Sequence, residues 1–78
     1  MSVFVLMIDP NDDVNDRYLH SVYDSEEKAE KAIQENAIEE GEPALLLQKD
    51  YDTWECADCW HYPEYEHSRY YIYECEVK

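Results

Sequence analysis

"DSEEKAEKAIQENAIEEG", residues 24–41, decides the fold. Ala29, Ala32, Ile33 and Ala37 recur at helical spacing and make a narrow apolar stripe. Asp24 or Ser25 is placed to cap the first turn, and Glu27 stands three after Asp24 as in a capping box. Glu26 and Glu27 suit the positive end of the helix dipole. Gly41 stops the helix and Pro43 prevents its resumption. The pattern predicts one helix over residues 25–40. Its stripe of small side chains lets it lie close against a sheet.

The flanking segments supply that sheet. "VFVLMI" (3–8) is apolar on both faces, which suits a central strand. "DPNDDVND" (9–16) is a turn built from breaker pairs, with Asp9, Asp12, Asp13 and Asp16 clustered in it. "RYLHSVY" (17–23) reads as a second strand in a hairpin with the first. "PALLLQKDY" (43–51) reads as a third strand and "SRYYIYECEVK" (68–78) as the last. In the last, Tyr71, Tyr73, Cys75 and Val77 share one face, and Tyr70, Ile72, Glu74 and Glu76 the other. The fold class is therefore α+β. A small, mainly antiparallel sheet in the order β-β-α-β-β carries the helix on one face. All 78 residues form a single domain, 1–78, with a modest core.

Charge is the dominant compositional fact. Twenty acids face six bases, a formal net charge of −14. Self-repulsion on so small a body opposes compaction. The surplus fits a solubility surface, a saline host or a strongly positive partner. Direct binding to nucleic acid is disfavoured, because phosphate contacts need Lys and Arg. An anionic membrane surface is disfavoured for the same reason. The opening "MSVFVLMIDP" has no basic leader region, and no stretch approaches the ~20 apolar residues of a spanning helix. A cytosolic protein is expected. Cys56, Cys59 and Cys75 are odd in number, which suits a reducing compartment.

"VFVL", the junction "VYDSEEKAEKAI" and the terminal "YYIYECEV" resemble a recurrent small domain of unknown function from phages and bacteria. The resemblance covers about half of the chain. It implies a ββαβ-type fold and a phage or mobile-element origin, and it supplies no catalytic residues. Together with the acidity, it makes the chain similar to the short acidic inhibitors that phages direct at host defence, such as anti-CRISPR and DNA-mimic proteins.

The segment that departs from that pattern is "DTWECADCWHYPEYEH", residues 52–67. Cys56 and Cys59 form a C-x-x-C, and His61 follows. If Ala57-Asp58 were a two-residue turn, the two thiols and His61 would converge, with His67 or Cys75 as a fourth ligand for a structural zinc. A second C-x-x-C and the finger histidine pair are missing. A redox or nucleophilic thiol is a weaker reading, since the surrounding carboxylates disfavour a thiolate. Paired carboxylates carry little information among twenty, and the acid run at 9–16 lacks the glycine and terminal Glu of a calcium loop.

Contact surface is the reading the segment favours. Trp54, Trp60, Tyr62 and Tyr65 alternate with Asp52, Glu55, Asp58, Glu64 and Glu66. Aromatic side chains give area at low entropic cost, and carboxylates around them complement Lys and Arg. One Trp is expected in the core and the Tyr residues mostly at the surface. The conclusion from sequence is a non-enzymatic, acidic domain without a cofactor. It binds a basic protein, in its most concrete form a nucleic-acid-binding host protein whose positive surface it occupies. Its acidic patches are Asp9, Asp12, Asp13 and Asp16 with the 50–66 segment. Glu74 and Glu76, ~6.7 Å apart on one strand face, have the spacing of a phosphate row. The alternatives are a zinc-stabilised interaction domain and a generic acidic protein from a saline host.

Overall fold

The computed structural model describes residues 1–77. Its elements are β1 (Ser2–Asp9), β2 (Tyr18–Tyr23), α1 (Glu26–Glu39), β3 (Gln48–Asp52), β4 (Ala57–His61) and β5 (Arg69–Glu76). The class is the expected α+β: one antiparallel sheet with one helix on a single face. The strands lie in the order β2-β1-β5-β4-β3. β1 is flanked by β2 and β5 along its length, which explains its apolar residues on both faces.

The helix forms where its caps and stripe direct it. The Ser25 side chain accepts from the Lys28 N–H at 3.3 Å. Asp24 instead pairs with the Lys28 ammonium one turn on, at 2.8 Å, so Ser25 and not Asp24 is the cap. At the other end Gly41 adopts φ +73°, its N–H donates to the Ile38 carbonyl, and Glu42 N–H donates to that of Ala37. This is a Schellman stop, and the left-handed residue in it favours glycine. Ala29, Ala32, Ile33 and Ala37 are all buried against Leu6, Ile8, Trp60, Tyr70 and Ile72 of the sheet. Small helix residues facing large sheet residues let the two layers interlock.

Two sequence expectations need correction. Residues 43–47 are not strand: Ala44–Leu46 form a 3-10 turn, and β3 begins only at Gln48. Local bonds from Leu46 N–H to the Pro43 carbonyl and from Leu47 N–H to that of Ala44 consume donors that a strand would place in a ladder. The second correction concerns the expected β-β-α-β-β order, which omits a strand. Ala57 and Asp58 open β4 rather than forming a turn. The reversal lies just before them, where the Asp52 carboxylate accepts from the N–H groups of Trp54 and Glu55 and Cys56 takes φ +53°.

The sheet thus has a helix-covered face and an open one. Leu6 faces the helix, so Val5 and Met7 face the other way. By cross-strand register the open face also carries Val22 and Leu19 of β2, Tyr71, Tyr73 and Cys75 of β5, Ala57, Cys59 and His61 of β4, and Asp50 and Asp52 of β3.

Candidate functional site

The centre of the open face is held by two arginines. Arg17, just before β2, makes a two-pronged contact with the buried carboxylate of Asp9 through Nε and Nη2. Its Nη1 reaches Glu55 Oε1 at 3.1 Å and donates to the Tyr73 hydroxyl at 3.1 Å. That hydroxyl in turn donates to Glu55 Oε2 at 2.8 Å. The guanidinium also stacks over the Tyr71 ring, 4.5 Å from its centroid. Arg69, at the start of β5, pairs with Asp12. Its Nε is 3.0 Å from Asp12 Oδ1, but the buried Nε–H is not aligned for a hydrogen bond. Arg69 Nη1 reaches the Tyr71 hydroxyl, which donates weakly to Asp52 at 3.5 Å.

These contacts join the two acidic segments singled out in the sequence. Asp9 and Asp12 come from the first turn, and Asp52 and Glu55 from the β3–β4 turn. Asp9 and Glu55 meet on Arg17, Asp12 pairs with Arg69, and Asp52 is linked to Arg69 only through the Tyr71 hydroxyl. Part of their charge is therefore neutralised within the chain. The remaining candidates stand differently. Asp13 caps the next 3-10 turn by accepting from Asn15 N–H, and Asp16 is exposed. Asp58 is half-buried on the helix side, 4.0 Å from the Lys49 ammonium. Lys49 also pairs with Glu26 and Glu30 and lies over the Trp60 ring at 5.0 Å. Glu26 beside Asp58 is held above its ordinary value by that second carboxylate, with burial adding to the effect.

The aromatic set divides. Trp54 sits at the tip of the β3–β4 turn with 96% of its surface exposed. Tyr65 is exposed between Glu64 and Glu66 in the β4–β5 loop. Trp60 and Tyr62 are buried, so they are core and not contact residues. Tyr70 and Tyr71 are buried as well, which corrects the expectation that tyrosines stay mostly outside. With a single Phe in the chain, phenol rings fill the interior; the Tyr70 and Tyr71 hydroxyls find polar partners, whereas the buried Tyr62 hydroxyl has none among the described residues. Tyr70 donates to Glu42 Oε1 at 3.0 Å and lies 3.1 Å from the Asn36 amide. Burial, reinforced by the Glu42 charge, pushes the Tyr62 phenol up to about 12.

The proposed zinc ligands do not converge. Among the described residues no three His, Cys, Asp or Glu side chains are grouped as a metal site. Cys56 is exposed at the turn and Cys59 is buried within β4. His67 lies 4.8 Å from the Tyr62 ring and 3.8 Å from Glu42. Because Ala57 and Asp58 are strand, the two thiols are not cross-strand neighbours. Cys59 and His61 do share a face, and they line an open cleft of about 300 Å³ with Asp50, Tyr51, Asp52, Thr53 and Arg69. Two ligands fall short of the four a structural zinc takes. Burial also pushes the Cys59 thiol up to about 11, which keeps it protonated and a poor nucleophile at neutral pH.

Sequence reasoning overlooked the cations. Six bases among twenty acids are the scarce charge, so each was worth tracing, yet their partners lie as far as 57 residues away. Leu19, Val22, Leu45 and Tyr51 were also overlooked as exposed apolar side chains. Comparison with protein-family models, curated proteins and solved structures returned no match to this chain. No described helix is long and apolar enough to cross a membrane.

Proposed function

We propose that this chain is a non-enzymatic binding domain for a basic protein, and that it competes for the cationic surface on which such a protein holds nucleic acid. One observation carries the reading. On the open face the carboxylates of the 9–16 and 52–55 turns come together, both arginines there are already engaged, and Trp54 stands almost fully exposed at the tip of the β3–β4 turn. A partner's Lys and Arg meet an excess of carboxylates, and the indole offers a flat apolar surface on which an arginine can stack. The phage-domain resemblance makes a host defence protein of anti-CRISPR or anti-restriction type the most specific form of this proposal.

Competition is measured directly. A labelled DNA duplex is bound to a basic DNA-binding protein, and its fluorescence anisotropy is followed as this chain is added. Displacement is expected at low salt and is expected to weaken steeply as salt rises. Trp54→Ala is expected to reduce displacement about tenfold, as for an interface anchor. Failure to displace DNA from any of a panel of such proteins at low salt sinks the proposal.

A further inference from the structure

The two edges of the sheet differ in character. β3 carries Lys49, Asp50 and Asp52, and charge of that kind keeps an edge from pairing with another chain. β2, at the other end of the strand order, reads Tyr18-Leu19-His20-Ser21-Val22-Tyr23 and holds no Asp, Glu, Lys, Arg or Pro. In a chain with 33% charged residues, that is an unguarded edge. The ladder to β1 engages one side of the β2 backbone, and among the described residues no other backbone hydrogen bond reaches it. Alternate N–H and C=O groups of β2 therefore point outward. The register is regular over Ser21–Tyr23 and over Tyr18–Leu19, and His20 between them is the extra residue of a bulge.

Beside that edge runs a groove of about 250 Å³ between β2 and α1. His20 and Tyr23 line it from the strand, and Ala32, Glu35, Asn36 and Glu39 from the helix. Glu40 stands nearby: burial and the Glu40 charge hold the Tyr18 phenol above its ordinary value. The helix is thus divided by charge. On its β3 flank, Glu26 and Glu30 pair with Lys49. On its β2 flank, Glu35, Glu39 and Glu40 are exposed and make no ion pair among the described residues. Lys31 stands one turn before Glu35 without pairing to it.

We infer that β2 is the seat of an extended segment of the partner protein, bearing Lys or Arg, that adds to the five-stranded sheet as a further edge strand. The inference rests on the basic-partner reading and adds where that partner docks and in what conformation. The outward backbone groups of β2 offer hydrogen bonds that any sequence can use, and the carboxylates of the groove select the side chains. In an added strand every second side chain falls on the helix side, so cations at alternate positions meet Glu35, Glu39 and Glu40. β2 begins just after the 9–16 turn, so this edge continues the acidic contact surface. A second copy of this chain is a poor occupant, because pairing β2 with β2 would bring together the carboxylates of two bodies of −14.

The test uses a short peptide of alternating Lys and Thr, and the same peptide methylated on every backbone nitrogen. Both carry the same charge, and only the first can donate backbone hydrogen bonds. Binding to the intact protein is measured by calorimetry at low salt and mapped by amide chemical shifts and hydrogen exchange. The unmethylated peptide is expected to bind about tenfold more tightly or better, with shifts centred on Tyr18–Tyr23 and new exchange protection on the outward amides of β2. Glu35→Gln with Glu39→Gln is expected to weaken that peptide about tenfold. Both positions are exposed, so circular dichroism should match that of the parent protein, and the comparison of peptides stands without the variant. Equal affinity for the two peptides, or shifts confined to the β3–β4 turn, overturns the edge and leaves the basic-partner reading intact. Full affinity in the double variant overturns the selection of cations by the groove. Binding of neither peptide also overturns the edge, and DNA displacement then decides the basic-partner reading on its own. Concentration-dependent dimerisation with shifts on β2 assigns the edge to a second copy and overturns the inference.

Discussion

Asp9 keeps 3% of its side-chain surface and Arg17 keeps 16%, so neither charge is fully hydrated. Each satisfies the other, and removing one leaves an uncompensated charge in a poorly solvated place. Arg17→Met should therefore lower the unfolding free energy by about 3 kcal/mol in urea melts. Asp9→Asn combined with Arg17→Met should recover most of that loss, since the stranded carboxylate is gone. A loss below about 0.5 kcal/mol for the single change would place Arg17 among ordinary surface residues. The buried phenols and thiol act with the opposite sign of charge. Cys59 and Tyr62 have folded values raised from 9.0 to about 11 and from 10.0 to about 12, chiefly by burial. Tyr70 and Tyr73 are raised further, again by burial first. In the unfolded chain these groups lose their protons at lower pH than in the folded one. Their contribution is complete below pH 9, starts to fall as the Cys59 thiol ionises in the unfolded chain, and falls more steeply above pH 10. Urea melts at stepped pH should show an alkaline decline with that onset, and a flat profile from pH 8 to 11 would contradict the burial assigned to these rings.

At the scale of elements, the β3–β4 turn separates the readings that the sequence left open. Cys56 is neither Gly nor Asn, yet it occupies the left-handed region at φ +53°. A side chain there costs on the order of 1 kcal/mol. Cys56→Gly should therefore raise the melting temperature, and Cys56→Val should lower it. A zinc-stabilised domain using Cys56 would behave in the opposite way, with Cys56→Gly losing both metal and stability. Melting curves read together with metal content decide the matter. The same turn shows what was legible. Residues 24–41 announced their helix because cap, stripe and stop are local, and Ala29, Ala32, Ile33 and Ala37 all went inside. β1 announced its central place through apolar residues on both faces. The β3–β4 reversal at 53–56 has no Gly, Asn or Pro to mark it, so β4 was not legible as a strand of its own. Ala44–Leu46 misled for a related reason: an apolar run fits strand and 3-10 turn alike, and only the hydrogen bonds to Pro43 and Ala44 separate them. In the site, the acidic segments and Trp54 were legible as composition. The contacts that tie the acidic segments to Arg17 and Arg69 were not, because those depend on residues brought together by strand pairing.

Over the whole molecule, net charge and size set how salt must act. The Cα radius of gyration is 11.9 Å, and the formal charge is −14. At 0.01 M ionic strength the Debye length is about 30 Å, so every carboxylate repels every other across the body. At 1 M it is about 3 Å, and only direct neighbours still interact. Arg17 with Asp9 and Glu55, and Lys49 with Glu26 and Glu30, are contact pairs within the fold, so screening removes far more repulsion than attraction. The melting temperature should therefore rise by several degrees between about 0.01 and 0.5 M salt. Affinity for a cationic partner should fall over the same range, because that attraction acts between exposed charges. The two responses have opposite signs, and this pairing distinguishes a charge used for binding from a charge that only accommodates a saline host. A saline-host protein should be unfolded at 0.01 M, whereas a binding domain should be folded there and at its tightest. Thermal melts and peptide titrations across one salt series measure both. A chain already unfolded at the low-salt end would give the acidity to the host's salt and take it away from the partner.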